Sequence, residues 1–171
     1  RLVRLEWSAE AFEDRATFAF PSRRAELPEF TYTLQGADLK ITTHNLTIHY
    51  VDDGQPFHAE NLSIVCTFNG ESATWVPGTV KLGKLRGTRR ILDQCDSAAG
   101  LKEGLISREG WAVFDDSGSP VWSSDLCWIE GRPAAHKQDW YFFGYGHDYK
   151  GALHDYIQFG GPIPLVPRYV F

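Results

Sequence analysis

Residues 139–149 read DWYFFGYGHDY, an aromatic run that ends in alternating glycines. Aromatic side chains favour β-strands because they fit the pleated, half-buried surface of a sheet. The run therefore predicts a strand over residues 140–143. The glycines and polar residues that follow predict that the chain leaves the sheet there.

A short amphipathic helix is predicted directly after this strand. Asp148 suits the N-cap position, where a carboxylate accepts hydrogen bonds from first-turn amides. Gly160 and Gly161 supply a stop signal, and Pro162 prevents the helix from resuming. Four apolar residues at helical spacing define one expected buried face: Tyr149, Ala152, Leu153 and Tyr156.

The chain before residue 139 consists mainly of short alternating runs separated by turn residues. Such runs predict antiparallel strands with one buried face. The expected strands before the aromatic run are residues 2–7, 30–34, 39–43, 46–51, 62–68, 73–76, 111–114 and 121–122. We predict an all-β antiparallel sandwich over residues 1–146 and a helix with a connector over residues 147–171. Residues 77–110 are rich in glycine and irregular, and we expect this loop region to leave the sandwich and contact another molecule or domain.

Composition excludes several classes of function. The 171 residues carry a formal net charge of −5 without a basic block, which argues against nucleic acid as a partner. There is no apolar run of roughly 18 residues, so no membrane partner is expected. The six histidines form no metal-ligand pair, and no metal or cofactor is expected. The chain starts without Met and ends in the apolar run IPLVPRYVF, so we expect it to be part of a longer protein.

Cysteines and sequons bear on the compartment. The three cysteines, an odd number without zinc-ligand spacing, are expected to be buried and reduced: Cys66, Cys95 and Cys127. Two N-glycosylation sequons occur, Asn45-Leu46-Thr47 and Asn61-Leu62-Ser63. A cytoplasmic location is favoured, and secretion stays open because of the two sequons.

Several stretches carry a family resemblance. Residues 141–149 (YFFGYGHDY) are followed by Ala152-Leu153 with Asp155-Tyr156 and by GPIPLVPRY at residues 161–169. Further motifs stand at residues 2–7 and 12–15, at 82–83, 87–89 and 92–93, and at 104–117. In this order they resemble the N-terminal, galactose-mutarotase-like β-sandwich of glycoside hydrolase family 31, the family of α-glucosidases and α-xylosidases.

The resemblance also implies which domain, substrate and catalytic residues the rest of the protein would supply. A catalytic (β/α)8 barrel would follow this segment and would be its packing partner, and an oligosaccharide or α-glycoside would be the substrate. The nucleophile and the acid/base of the retaining reaction would be aspartates of that barrel, so no catalytic residue is assigned here. The alternative, from a different class of function, is a free-standing carbohydrate-binding module.

The turn that contains Arg108, Glu109 and Trp111 is the candidate substrate-binding site. In similar enzymes a loop of this domain reaches the barrel mouth, and an acidic residue after an Arg binds sugar hydroxyls; the matching position here is Glu109. A carboxylate suits this role because it accepts from two hydroxyls. Trp111 offers an apolar face to a sugar or, equally, to the core. The competing interpretation of Arg108 and Glu109 is a solvated turn with a surface ion pair.

Adjacent carboxylates elsewhere are interpreted as turn formers with surface charge. Glycoside hydrolysis needs two carboxyl groups about 5 to 9 Å apart across a substrate. Sequence neighbours on a strand point to opposite faces. This interpretation covers the pairs Glu13-Asp14, Asp52-Asp53 and Asp115-Asp116.

Overall fold

The structure is a computed structural model that describes residues 1–12, 14–23, 25–80, 83–86, 103–125, 127–132 and 137–162. The strands in chain order are β1 (Leu2–Ser8), β2 (Phe30–Gln35), β3 (Asp38–Thr43), β4 (Leu46–Val51), β5 (Leu62–Phe68), β6 (Glu71–Trp75), β7 (Lys84–Arg86), β8 (Glu103–Ser107), β9 (Trp111–Asp115), β10 (Val121–Trp122), β11 (Ile129–Glu130) and β12 (Lys137–Gly144). The one helix in the described part of the chain, α1, spans Tyr149–Gly160. All strand pairs are antiparallel, so the prediction of an all-β antiparallel fold with one short helix is confirmed.

Strands β2 to β6 form a five-stranded meander in chain order. Tight turns join β2 to β3, β3 to β4 and β5 to β6, whereas residues 52–61 form a longer loop between β4 and β5. Gly36 and Gly70 adopt the positive φ that tight turns favour. The register pairs Ile41 with Ile48 and Ile48 with Ile64. One face of this large sheet is therefore lined with aliphatic side chains.

A smaller sheet with the order β1-β12-β9 packs on that face. Leu5, Trp111 and Phe142 of the small sheet join one buried cluster with residues of the large sheet. The large-sheet members of this cluster are Leu46, Ile48, Leu62, Ile64, Cys66 and Trp75. The two sheets thus form a sandwich, as expected.

The outer face of the small sheet is covered by α1 and by the segment around Phe20. Phe20 is fully buried and stacks on Tyr141, with ring centroids 3.5 Å apart. Tyr156 donates a hydrogen bond to the carbonyl of Ala19 at 3.0 Å, and Ser22 N–H donates to the carbonyl of Phe159 at 3.0 Å. The protein therefore has three layers: large sheet, small sheet and helix.

The predicted helix is confirmed at both ends but not in its buried face. Asp148 is the N-cap and accepts from Gly151 N–H at 3.0 Å, and Gly161 N–H closes the last turn on the carbonyl of Ile157. Leu153, expected inside, is 48% exposed. The face that packs on the sheet is instead formed by Ala152, Tyr156 and Phe159.

A cluster of charged residues is buried beside this aromatic layer. Asp139 and Asp116 have no exposed surface, and Arg23 bridges them with N···O distances of 3.0 Å to each. Arg4 and Arg132 also pair with Asp139, each at 2.8 Å. Burial raises the pKa of Asp116. Burial acts in the same direction on Asp139, but hydrogen bonds from Arg4 prevail and its pKa is lowered.

The expectation of surface charge was therefore wrong for Asp116, although its carbonyl accepts from Ser119 N–H in a turn, as expected. Its carboxylate accepts from the hydroxyl of Thr17 at 2.8 Å and lies against Arg23, where burial without such partners would be costly. The expectation holds for Asp52 and Asp53, which accept hydrogen bonds from Gly54 N–H and Gln55 N–H in an exposed loop. Glu13 lies outside the described residues.

The cysteines differ from one another. Cys66 is a buried free thiol in the core, as expected, whereas Cys127 is exposed. Cys95 lies outside the described residues. Within the expected irregular region 77–110, β7 and β8 add a two-stranded sheet, and residues 81–82 and 87–102 are not described.

Candidate functional site

The turn between β8 and β9 is held by backbone hydrogen bonds on three sides. Gly110 N–H donates to the carbonyl of Ser107 at 3.3 Å and closes the turn. The carbonyl of Gly110 accepts from Tyr145 N–H at 3.1 Å and Gly146 N–H at 2.8 Å. Arg108 N–H donates to the carbonyl of Gly83 at 3.0 Å. The turn is therefore fixed to the start of β7 and to the chain that leaves β12.

Phe68, at the end of β5, packs against two glycines of this region. A Cβ atom on Gly110 would lie 2.5 Å from Cζ of Phe68, and one on Gly146 would lie 2.6 Å from its Cγ. Both glycines also have positive φ, +79° and +58°. A side chain at either position would meet steric and backbone strain, so glycine permits the close approach of the large sheet to the turn.

His147 supports the turn from the other side. Its Nε2 lies 3.2 Å from the carbonyl oxygen of Arg108, and its ring packs edge-to-face between Phe68 and Tyr149. With Nε2 protonated, the ring donates this hydrogen bond. His147 fixes the passage from strand to helix, and it also fixes the backbone beside Glu109.

Glu109 is half-buried, and its carboxylate points back onto the protein. Its Oε1 accepts a hydrogen bond from Gly83 N–H. A Cβ on Gly83 would lie 2.8 Å from Cβ of Arg108 and 3.1 Å from Oε1 of Glu109, so this contact also depends on a glycine. The structure brings Arg108 and Glu109 together at one end of the sandwich, with Arg108 exposed and Glu109 anchored.

Trp111 does not lie on the surface with them. It is 5% exposed and packs in the sandwich core, where its ring is stacked parallel to that of Phe142 with centroids 6.5 Å apart. Trp75 lies on it as well, at 6.4 Å. The expectation that it offers a face to a sugar was wrong, because its side chain is buried among core residues. Trp111, Ala112 and Val113 are all apolar, so the sequence carries no alternation that would show which of them points into the sandwich core.

The supporting residues Phe68, Gly83 and His147 were not predicted as part of the site. Phe68 is 42 positions away from Gly110 along the chain, and only the packing of the two sheets brings them together. The positive φ of Gly110 had a detectable signal, because glycine after a short polar turn is typical of a left-handed position.

A second concave feature lies along the free edge of β1. A groove of about 700 Å³ is lined mainly by apolar side chains of β1, β3 and β4, including Trp7, Ile41 and Tyr50. Phe12, 67% exposed, stands at its border, and Asp52 adds a carboxylate. Its volume falls in the range of small-molecule sites, about 300 to 1,000 Å³.

The described residues contain no group of three or more His, Cys, Asp and Glu side chains suited to a metal ion. The described helix is not long and apolar enough to cross a membrane. Ser107 is buried and its hydroxyl donates to the carbonyl of Trp111 at 2.5 Å, and Asp148 caps α1, so Ser107, His147 and Asp148 do not form a Ser-His-Asp catalytic triad.

Comparisons with known proteins do not test the family resemblance, which rests on the sequence motifs alone. Neither the protein-family models nor the curated proteins contain a match to this chain.

Proposed function

We propose that this chain is the N-terminal, non-catalytic β-sandwich of a retaining α-glycoside hydrolase of the family 31 type. It would pack on a catalytic (β/α)8 barrel and contribute the turn with Arg108 and Glu109 to the rim of the substrate site. The observation that carries the proposal is the anchoring of this turn: Gly83, Gly146 and His147 all bind its backbone. A loop that positions a ligand group must be rigid, because binding geometry is lost by displacements of about 1 Å.

The chemistry of the Glu109 carboxylate suits sugar binding, although its Oε2 is buried in this domain. A carboxylate has about four acceptor positions, so a bond from Gly83 N–H and a bond from a sugar hydroxyl can coexist. The bond to Gly83 orients the carboxylate before any ligand arrives, which lowers the entropic cost of binding. Arg108, exposed beside it, adds a donor for the same sugar or for the barrel.

Helix α1 supports the expected packing on a following domain. Its inner face is docked on the small sheet, while Leu153 and Ile157, one turn apart, remain 48% and 39% exposed. Apolar side chains in this arrangement suit a second packing partner. The helix ends beside Pro162, so the chain continues from the same layer that presents these two residues.

Kinetics of the full-length protein test the role of Glu109. Glu109→Gln keeps the size and one acceptor but removes the charge. Hydrogen bonds to charged groups contribute about 1.5 to 3 kcal/mol, so we expect KM for a disaccharide α-glucoside to rise about tenfold or more with kcat little changed. Glu60→Gln, an exposed carboxylate at the opposite end of the large sheet, is the control. Unchanged KM in the Glu109 variant, or equal effects in both variants, would contradict the proposal.

The groove along β1 favours the second candidate, a carbohydrate-binding module. Aromatic and aliphatic side chains with a flanking carboxylate suit a sugar chain. Titration with soluble α- and β-glucan oligosaccharides, followed by tryptophan fluorescence, tests this function. Phe12→Ala should weaken such binding without unfolding the domain, because Phe12 is exposed. If saturating oligosaccharide changes neither fluorescence nor thermal stability, this candidate is wrong.

A further inference from the structure

The two N-glycosylation sequons lie in contrasting environments. Asn45 stands in the turn between β3 and β4 and is half-buried, while Asn61 directly precedes β5 at the other end of the large sheet and is 3% exposed. A sequon is a necessary signal for N-glycosylation but not a sufficient one, because the modified side chain must also fit the folded protein. The side-chain amides of Asn45 and Asn61 differ in how many hydrogen bonds they make inside the protein.

Asn61 uses its whole side chain inside the protein. Its Nδ2 donates to Oδ1 of Asp53 at 3.0 Å and to the carbonyl of Pro56 at 3.1 Å. Its Oδ1 accepts from His58 N–H at 2.8 Å. N-glycosylation replaces one of the two Nδ2 hydrogens, so one of these bonds would be lost and a sugar would have to fit into a buried site. A chain modified at Asn61 cannot keep this loop.

Asn45 has a different hydrogen-bond arrangement. Among the described residues its Nδ2 makes one hydrogen bond, to the carbonyl of Thr67 at 3.2 Å. The glycosylated amide keeps one N–H, which is enough for this bond. The turn itself is held by its backbone: Thr67 N–H donates to the carbonyl of Asn45 at 2.8 Å, and Thr43 Oγ1 accepts from Leu46 N–H at 3.0 Å. Modification therefore costs the fold none of these contacts.

The position of Asn45 also suits a bulky group. It belongs to the large sheet, whereas α1 lies on the far side of the small sheet. A glycan on Asn45 would project from the large sheet, which is the layer most distant from the exposed face of the helix. It would leave Leu153 and Ile157 uncovered, and it would lie at the end of the sandwich where Phe68 packs on Gly110.

We propose that Asn45 is the N-glycan acceptor of this domain and that Asn61 is a sequon that the fold keeps unmodified. In the transfer step, Nδ2 of Asn45 bonds to the anomeric carbon of a lipid-linked oligosaccharide. The lipid diphosphate leaves, and Nδ2 loses one proton. The inference uses only the two sequons and their contacts, and it stands independently of the role of Glu109.

Site-specific mass spectrometry tests the proposal. The full-length protein would be secreted from a glycosylating eukaryotic host, and the secreted fraction would be treated with peptide N-glycosidase in heavy-oxygen water, which marks each former glycan site as Asp. We expect the mark on Asn45 and none on Asn61. Thr47→Val removes the first sequon while keeping a β-branched residue on β4, and it should abolish the glycan. Ser63→Ala removes the second sequon, leaves Asn61 in place and should change nothing.

Three outcomes would overturn the proposal. The first is a mark on Asn61 in secreted wild-type protein. The second is an unmarked Asn45 when a secreted glycoprotein made in the same cells is fully glycosylated. The third is a glycan mass that survives Thr47→Val.

Discussion

Arg132 and Asp139 form an ion pair with an N···O distance of 2.8 Å, and their side chains are 1% and 0% exposed. Asp139 is also paired with Arg4 and Arg23, so one carboxylate of β12 joins three guanidinium groups from three separate parts of the chain. A buried charge is tolerated only with such partners, because desolvation costs several kcal/mol per ion.

Asp139→Asn should therefore be strongly destabilising. It leaves three arginines around a neutral amide, and breaking a buried pair costs about 3 to 5 kcal/mol. The control is Asp14→Asn, since Asp14 also pairs with Arg4 but its side chain is 85% exposed. We expect the control to lower the free energy of unfolding by under about 1 kcal/mol. Urea denaturation of both variants measures the difference, and similar losses would show that burial of the cluster has no special weight.

Phe20→Ala should detach the outer layer. Phe20 is fully buried and lies on Tyr141 with the planes 6° apart. Loss of a buried Phe costs about 3 to 5 kcal/mol. Phe18→Ala, two residues away at a site that is 53% exposed, is the matched control and should cost far less. Amide hydrogen exchange would show which part of the fold loses stability. Faster exchange in α1 is expected with Phe20→Ala, and unchanged protection there would argue against this anchoring.

Gly110→Ala should lower the stability of the domain more than Gly78→Ala does. The two glycines have similar positive φ, +79° and +87°, so the backbone strain of alanine is similar. Only at Gly110 would the new Cβ meet other atoms, since nothing lies within 4 Å of it at Gly78. Overpacking adds about 1 to 3 kcal/mol to the loss of stability. Thermal unfolding of the two variants isolates this steric part. Equal melting temperatures would mean that Phe68 can move away freely.

Asp53 should titrate far below its ordinary pKa of 3.8. Hydrogen bonds from His58, from Asn61 and from Gln55 N–H lower its pKa to about 2. A lowered carboxyl pKa stabilises the folded state above the unfolded pKa, and this contribution is lost as pH falls from about 4 through about 2. Carbon-detected NMR titration measures the pKa directly. His58→Ala removes the first of these partners and should raise the pKa, and a pKa unaffected by this change would refute the assignment.

The sequence predicts the large sheet well and the charged cluster badly, for one physical reason. Residues 46–51 and 62–68 place an apolar side chain at every second position from Leu46 and Leu62, and a period of two has only one structural meaning when one face is buried. Asp116 and Asp139 show no pattern, because their partners Arg4, Arg23 and Arg132 come from distant parts of the chain. A buried polar network has no local signal.

The candidate site shows the same division. Glu109 and Arg108 could be selected from their motif, and the N-cap Asp148 from its position before the helix. The burial of Trp111 and the exposure of Leu153 depend on which layer covers each side chain. Helical spacing cannot distinguish Leu153 from Phe159, because only the position of Phe20 and Tyr141 determines which side of α1 is inside.

The pairing of β1 with β12 has a consequence for the order of assembly. Leu2 is paired with Phe143, so the small sheet joins residues about as far apart in the chain as the domain allows. The large sheet is a meander whose strands pair with their neighbours in sequence. Loop closure makes the distant pairing slower. During synthesis the meander can form early, whereas β1 must wait for β12 until residue 144 has left the ribosome, and its apolar side chains lack this partner for that time.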